Sequence, residues 1–209
     1  MAIPLHTTIE QQIGSCLDRG DVKQAATEAL RGYGPQILAY LAGVLRDDEA
    51  AAEVFSEFSE DLWRGIGAFR RESSFRTWAY RLAWNAARQL ARDPFRKRGR
   101  RLMTSEWSAI AQEVRSSAAT QRQFEIQGRL AKLRTALHPD EQSLLILRVD
   151  RELSWKEVAQ VMSESETPLD EAALRKRFER LKARLHKMAK KEGLLELLRS
   201  ERRRREQKS

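Results

Sequence analysis

Apolar residues recur at spacings of three and four along most of the chain, while alternating β-branched runs, the mark of a half-buried strand, are nearly absent. That pattern predicts an all-α protein. Its 209 residues suffice for one ordinary domain or two small ones. Punctuation favours two small helical domains joined by a flexible linker. The predicted boundaries are an N-terminal extension over 1–20, a first domain over 21–102, a linker over 103–120, a second domain over 121–193 and a basic tail over 194–209.

In the first domain a helix is expected from about Asp21 to Arg31, with a break at Gly32, Gly34 and Pro35 and a second helix opening at Pro35. Another should begin near Asp47, where acidic residues suit a helix N-terminus. Ser73 or Ser74 is placed to cap a further helix that Pro94 ends. The basic run "DPFRKRGRR" over 93–101 and the Ser- and Ala-rich stretch from Met103 to Thr120 then separate the halves. Four helical segments follow, beginning near Thr120, Pro139, Ser154 and Pro168.

Charge narrows the partner class. A formal net charge of +9 favours a polyanion, either nucleic acid or an acidic membrane surface. Cys16 is the single cysteine, so no intramolecular disulfide can form. The start of the chain lacks a signal-peptide pattern, and no stretch reaches the roughly 20 apolar residues of a membrane span. A cytoplasmic protein without membrane attachment is expected.

Two segments carry the functional signal. In "ESSFRTWAYRLAWN", residues 72–85, aromatic rings alternate with cations; Phe75, Leu82, Ala86 and Trp78 can face a core. Arg76, Thr77, Tyr80, Arg81, Trp84, Asn85 and Arg88 cannot all join them. Either these rings pack between helices, or they stack on unpaired bases, at about 1–3 kcal/mol per base, while cations hold the strand. In the second half, "LSWKEVAQVM" reads as a short helix capped by Ser154, followed by one with Thr167 as N-cap and Pro168 in its first turn. There Leu174, Phe178, Leu181 and Leu185 form one apolar stripe, while Arg175, Lys176, Arg177 and Arg180 project elsewhere. Such a helix fits the major groove as well as it fits an ordinary protein surface.

Residues 33–93, above all Trp63 and "FRRESSFRTWAYRLA", resemble the second conserved region of bacterial extracytoplasmic-function (ECF) sigma factors. "LHPDEQSLLILRVDRELSWKEVAQVM" with the next helix is similar to their fourth region. The resemblance covers roughly residues 21–190, in the family's order. It implies an initiation factor whose first domain binds the beta-prime clamp helices of RNA polymerase and opens the minus-ten element of promoter DNA. The second would bind the beta flap and read the minus-thirty-five element. Carried over, the polymerase-binding positions are Val54, Phe55, Glu57, Phe58, Asp61 and Trp63. The minus-ten and melting positions are Arg76, Thr77, Trp78, Tyr80, Arg81, Asn85 and Arg88, and the minus-thirty-five positions are Arg175, Lys176, Arg177 and Arg180.

Two departures from the family stand out. The acidic box that usually opens the polymerase-binding helix is replaced by "AAAE", Ala50 to Glu53, so carboxylates that would meet basic clamp residues are missing. Ser56 and Ser59 follow on the same helix. Phosphorylation by a Ser/Thr kinase would restore about −1.5 to −2 charges there. The second departure is "SESETPLDE", residues 163–171, a turn about five residues longer than the one usual in the family it resembles.

No chemistry of bond-making is expected. His6, His138 and His186 lack partners at ligand spacing, and no phosphate-binding glycine loop or nucleophile elbow occurs, so no metal, cofactor or catalytic residue is assigned. The competing reading is a helix-turn-helix regulator that binds duplex DNA without the polymerase core. The sequence names no anti-sigma partner.

Overall fold

A computed structural model of the chain describes residues 5–92, 109, 112–114, 136–164 and 168–191. All its regular elements are helical, so the all-α expectation holds among the described residues. The helices are α1 (Leu5–Asp18), α2 (Val22–Leu45), α3 (Asp48–Gly65), α4 (Phe75–Arg92), α5 (Pro139–Leu145), α6 (Trp155–Val161) and α7 (Glu171–Lys191). A single 3₁₀ turn, Ile66–Ala68, follows α3, and a π-type turn, Ile146–Asp150, extends α5. Among the described residues no helix is long and apolar enough to cross a membrane.

The stretch expected to be an extension contains a helix. α1 buries Ile13 and Cys16 against α2. It ends at Gly20, whose φ of +72° only glycine adopts without strain. There the Gly20 amide donates to the Leu17 carbonyl at 3.0 Å and the Asp21 amide to the Cys16 carbonyl at 2.9 Å. Asp21 then caps α2 by accepting from the Gln24 amide at 3.0 Å.

The expected break at Gly32, Gly34 and Pro35 does not occur, because α2 runs unbroken from Val22 to Leu45. An interior proline costs a helix about 3 kcal/mol and each glycine about 1 kcal/mol. Packing on both sides offsets this. A Cβ on Gly32 would lie 2.8 Å from Ile9 Cγ2, and one on Gly34 2.8 Å from Val114 Cγ1, so both glycines admit a neighbouring side chain.

The predicted starts at Asp21, Asp47, Ser74, Pro139 and Ser154 are borne out. Asp47 caps α3, accepting from the Glu49 and Ala50 amides at 2.9 and 3.0 Å. Ser74 caps α4, accepting from the Thr77 amide at 3.1 Å. Ser154 and Glu157 form a reciprocal capping box on α6. The last helix starts later than expected. Asp170 takes the Ala172 and Ala173 amides at 3.0 and 3.1 Å, leaving Pro168 outside the helix. The expectations for Pro94, the 93–101 basic run, a helix near Thr120, Thr167 and the 194–209 tail fall outside the described residues.

The two halves share one continuous hydrophobic core. α2 packs against α5 and α4 against α6. At the first contact Ile146 of the π-type turn fits against Gly43, where a Cβ would come within 2.8 Å of its Cδ1. Nearby the Tyr40 hydroxyl and the Ser143 hydroxyl are 3.1 Å apart in a buried pair.

Glu10 of α1 closes the start of α4. Its carboxylate accepts from the Phe75 amide at 2.9 Å, the Arg76 amide at 2.8 Å and the Tyr33 hydroxyl at 2.9 Å. A negative charge at a helix N-terminus is favourable, and three donors would lose their acceptor without it. Glu10→Ala is therefore expected to destabilise the fold by about 1–3 kcal/mol, with Glu10→Gln falling between it and the parent. Urea unfolding followed by circular dichroism checks this order.

Candidate nucleic-acid and polymerase interface

α3 is amphipathic, and the buried side takes more of the predicted polymerase-binding residues than the exposed side. Val54, Phe55 and Phe58 are fully buried, and Glu57 is nearly so. Asp61 and Trp63 are half-buried. The outward side is carried by Asp48, Glu49, Glu53 and Arg64. Ser59 has no exposed surface and donates to the Phe55 carbonyl at 2.7 Å. Ser56 is half-buried and donates to the Ala52 carbonyl at 3.0 Å, so of the two serines only Ser56 offers an accessible hydroxyl.

α4 is buried over an arc of about 200°, at 100° per residue. Phe75, Ala79, Ala83 and Ala86 occupy one side of the arc, and Thr77, Tyr80, Trp84 and Ala87 the other. Of the seven residues that could not all turn inward, Thr77, Tyr80 and Trp84 are buried, because the second half of the chain supplies another packing surface, while Asn85 is exposed. Thr77 donates to Glu157 at 3.2 Å, and an Arg76 guanidinium N–H donates to the Arg151 carbonyl at 2.6 Å. Tyr80 meets Tyr40 edge-on at 5.5 Å. Trp78 is half-buried, packed between Phe69 and Phe75 at 5.3 and 5.1 Å. Arg81 is half-buried and Asn85 exposed.

Arg88 lies over the Trp84 ring at 5.4 Å and pairs with Glu164. The other oxygen of Glu164 takes Arg92 at 2.7 Å. Glu164 belongs to the long turn after α6. No sequence signal marked it, since its partners lie more than 70 residues away.

On α7 the buried stripe is Leu174, Phe178 and Leu181, with Leu185 half-buried beside it. Lys176 and Arg180 stand opposite that stripe and are exposed. Arg175 sits on its flank, paired with Glu171 at 3.1 Å and lying 5.8 Å over the Trp155 ring. Arg177 turns inward to Asp140 at 3.5 Å. Trp155, unremarked in the sequence, also carries the Arg148 guanidinium at 5.1 Å and meets Phe178 edge-on at 5.5 Å, fastening α7 to α6.

Residues 29–101 match a family profile described as Sigma-70 region 2. The chain is also 28% identical over 163 residues to the RNA polymerase sigma-H factor of Pseudomonas aeruginosa, an alignment covering 73% of this chain and 82% of that protein. The first half of the chain is thus similar to Sigma-70 region 2, and most of the chain is similar to a sigma factor. The region 2 match spans most of α2 and all of α3 and α4, so both the buried and the outward residues of α3 and α4 belong to it.

The carboxylates facing α4 are held ionised. At Glu164 hydrogen bonds from Arg88 and Arg92 hold the carboxyl below the ordinary value of 4.5. At Glu157 burial pushes the carboxyl up, but bonds from Ser154 and Thr77 and the field of Arg76 outweigh it, and the net direction is down. A carboxylate lowered on folding favours the folded state above its ordinary value, and that contribution is lost as pH falls through the lowered value. Replacing both arginines, Arg88→Ala with Arg92→Ala, is expected to return the Glu164 titration toward 4.5 when followed by carbon-detected NMR. An unchanged titration would show that the pairs do not form in solution.

Proposed function

We propose that this chain is an ECF-type sigma factor that binds core RNA polymerase and directs promoter-specific initiation. The first half would engage the beta-prime clamp helices through α3 and hold the melted minus-ten strand along α4. The second half would meet the beta flap and present α7 to the minus-thirty-five element. The observation that carries the reading is the Sigma-70 region 2 match across the helices that bear the ring-and-cation arrangement. Lys176 and Arg180, exposed opposite the buried stripe of α7, supply the duplex-facing cations, with Arg175 beside them. Arg177, engaged with Asp140, would act by fixing α7 rather than by reading bases.

Run-off transcription with purified core polymerase and a pool of genomic templates tests the reading. Discrete start sites are expected only when this chain is added; transcripts identical with and without it would overturn the proposal. Lys176→Ala and Arg180→Ala should each weaken duplex binding and lower the slope of log affinity against log salt by about 1.

The missing acidic box makes activation by a Ser/Thr kinase part of the proposal, and accessibility selects Ser56 over Ser59. A phosphate at Ser56 would place negative charge one turn beyond the Ala50–Glu53 segment. Ser56→Asp is expected to bind core polymerase more tightly than Ser56→Ala in fluorescence anisotropy, and equal affinities would remove the switch.

A further inference from the structure

Trp155 meets guanidiniums from two different elements, and its own ring is fixed first. Ser154 and Glu157 form the capping box that starts α6 and sets the backbone at Trp155, and the ring meets Phe178 of the buried α7 stripe edge-on at 5.5 Å. Arg148, from the π-type turn, lies 5.1 Å from the ring centre and is tied down by its own bond to the Leu153 carbonyl at 2.7 Å. Arg175, from α7, lies 5.8 Å from the same centre, and its guanidinium also pairs with Glu171, one turn earlier, at 3.1 Å. Yet the Arg175 side chain keeps 57% of its surface open to solvent. A cation held by a ring and a carboxylate while it still faces water is positioned rather than buried. Because α7 begins at Glu171, Arg175 stands in its N-terminal part, the end that a groove-reading helix turns to base edges.

We propose that Trp155 is a positioning residue for duplex binding, its indole face holding the Arg175 guanidinium in place before DNA arrives. This rests on the reading of α7 as the duplex-facing helix. A free arginine gives up rotamer freedom when it docks on a phosphate or a guanine edge, whereas one already laid on a ring has given up part of it in the unbound protein. On contact Arg175 exchanges Glu171 for an acceptor on the DNA. The ring, which does not compete for its N–H donors, stays beneath it.

The probe is a fluorescein-labelled mixed-sequence DNA duplex, titrated with the full chain carrying Trp155→Leu and Arg175→Ala singly and together. Trp155→Leu keeps an apolar side chain against Phe178 and removes the ring face. It should weaken binding roughly twofold to fivefold in the parent background and leave it unchanged where Arg175 is already replaced. Trp155→Phe, which retains a ring, should fall between parent and Trp155→Leu. Nitrogen relaxation at Arg175 Nε should show a more mobile guanidinium in Trp155→Leu, and an unchanged one overturns the proposal. Circular dichroism confirms that each variant is folded, and Trp155→Phe takes the place of Trp155→Leu in both measurements if it is not. A loss of affinity that requires Arg175 supports positioning. An equal loss in both backgrounds overturns it, because the ring would then act only by packing α6 on α7, and unchanged affinity in the parent background overturns it too. Lys176→Ala and Arg180→Ala on the same duplex separate those failures from a failure of the α7 reading. If they weaken binding, α7 still faces DNA and only the role of Trp155 falls; if they do not, the reading falls with it.

Discussion

α4 is required to satisfy two neighbours at once, and the rest of the architecture follows from that. One side of the helix completes the core formed with α2 and α3, and the other is covered by α6. Buried aromatic side chains dominate such contacts. A ring that removes about 150–250 Å² from water contributes several kcal/mol at about 25 cal/mol per Å², even when only half of that burial belongs to the docking. The exposed pairs made by Glu164 are worth about 0.2–1 kcal/mol each. Aromatic burial therefore sets how firmly the halves hold together, while the acids set which register they adopt and tune the balance.

The N-terminal helix belongs to the same logic. Through Glu10, α1 delivers a carboxylate to the exposed amides at the start of α4, so that helix is anchored at its first turn. Ser74 satisfies the next amide along, at Thr77, and its hydroxyl lies 2.8 Å from that of Thr77. Burial, then the neighbouring Glu10 charge and hydrogen bond, push the Tyr33 hydroxyl well above its ordinary range, which keeps it a donor at any working pH.

Local chemistry was legible in the sequence and long-range packing was not. Asp47, Ser74 and the Ser154–Glu157 pair act within three residues of themselves, so their capping roles could be read directly. The stripe of Leu174, Phe178 and Leu181 was legible because burial on one side of a helix imposes a period. Continuity of α2 through Gly32, Gly34 and Pro35 was not, since the local signals for a break are overruled by Ile9 and Val114 arriving from elsewhere. α1 escaped notice because its polar, glutamine-bearing sequence buries only a narrow edge. Burial of Tyr80 and Trp84 was one of two readings left open, because half of a one-sided helical pattern was already explained by the first domain. A second neighbour from the far half of the chain leaves no periodic trace on α4.

The interface between the halves is not fully satisfied. Trp84 Nε1, Arg76 Nε and Arg151 Nε are buried without a hydrogen-bond partner among the described residues. Each such group costs about 1–3 kcal/mol relative to a paired or hydrated one. A permanent core selected for stability alone tends to pair or remove them. Two of the three sit on α4, and their burial penalty works against the aromatic gain of the contact between the halves.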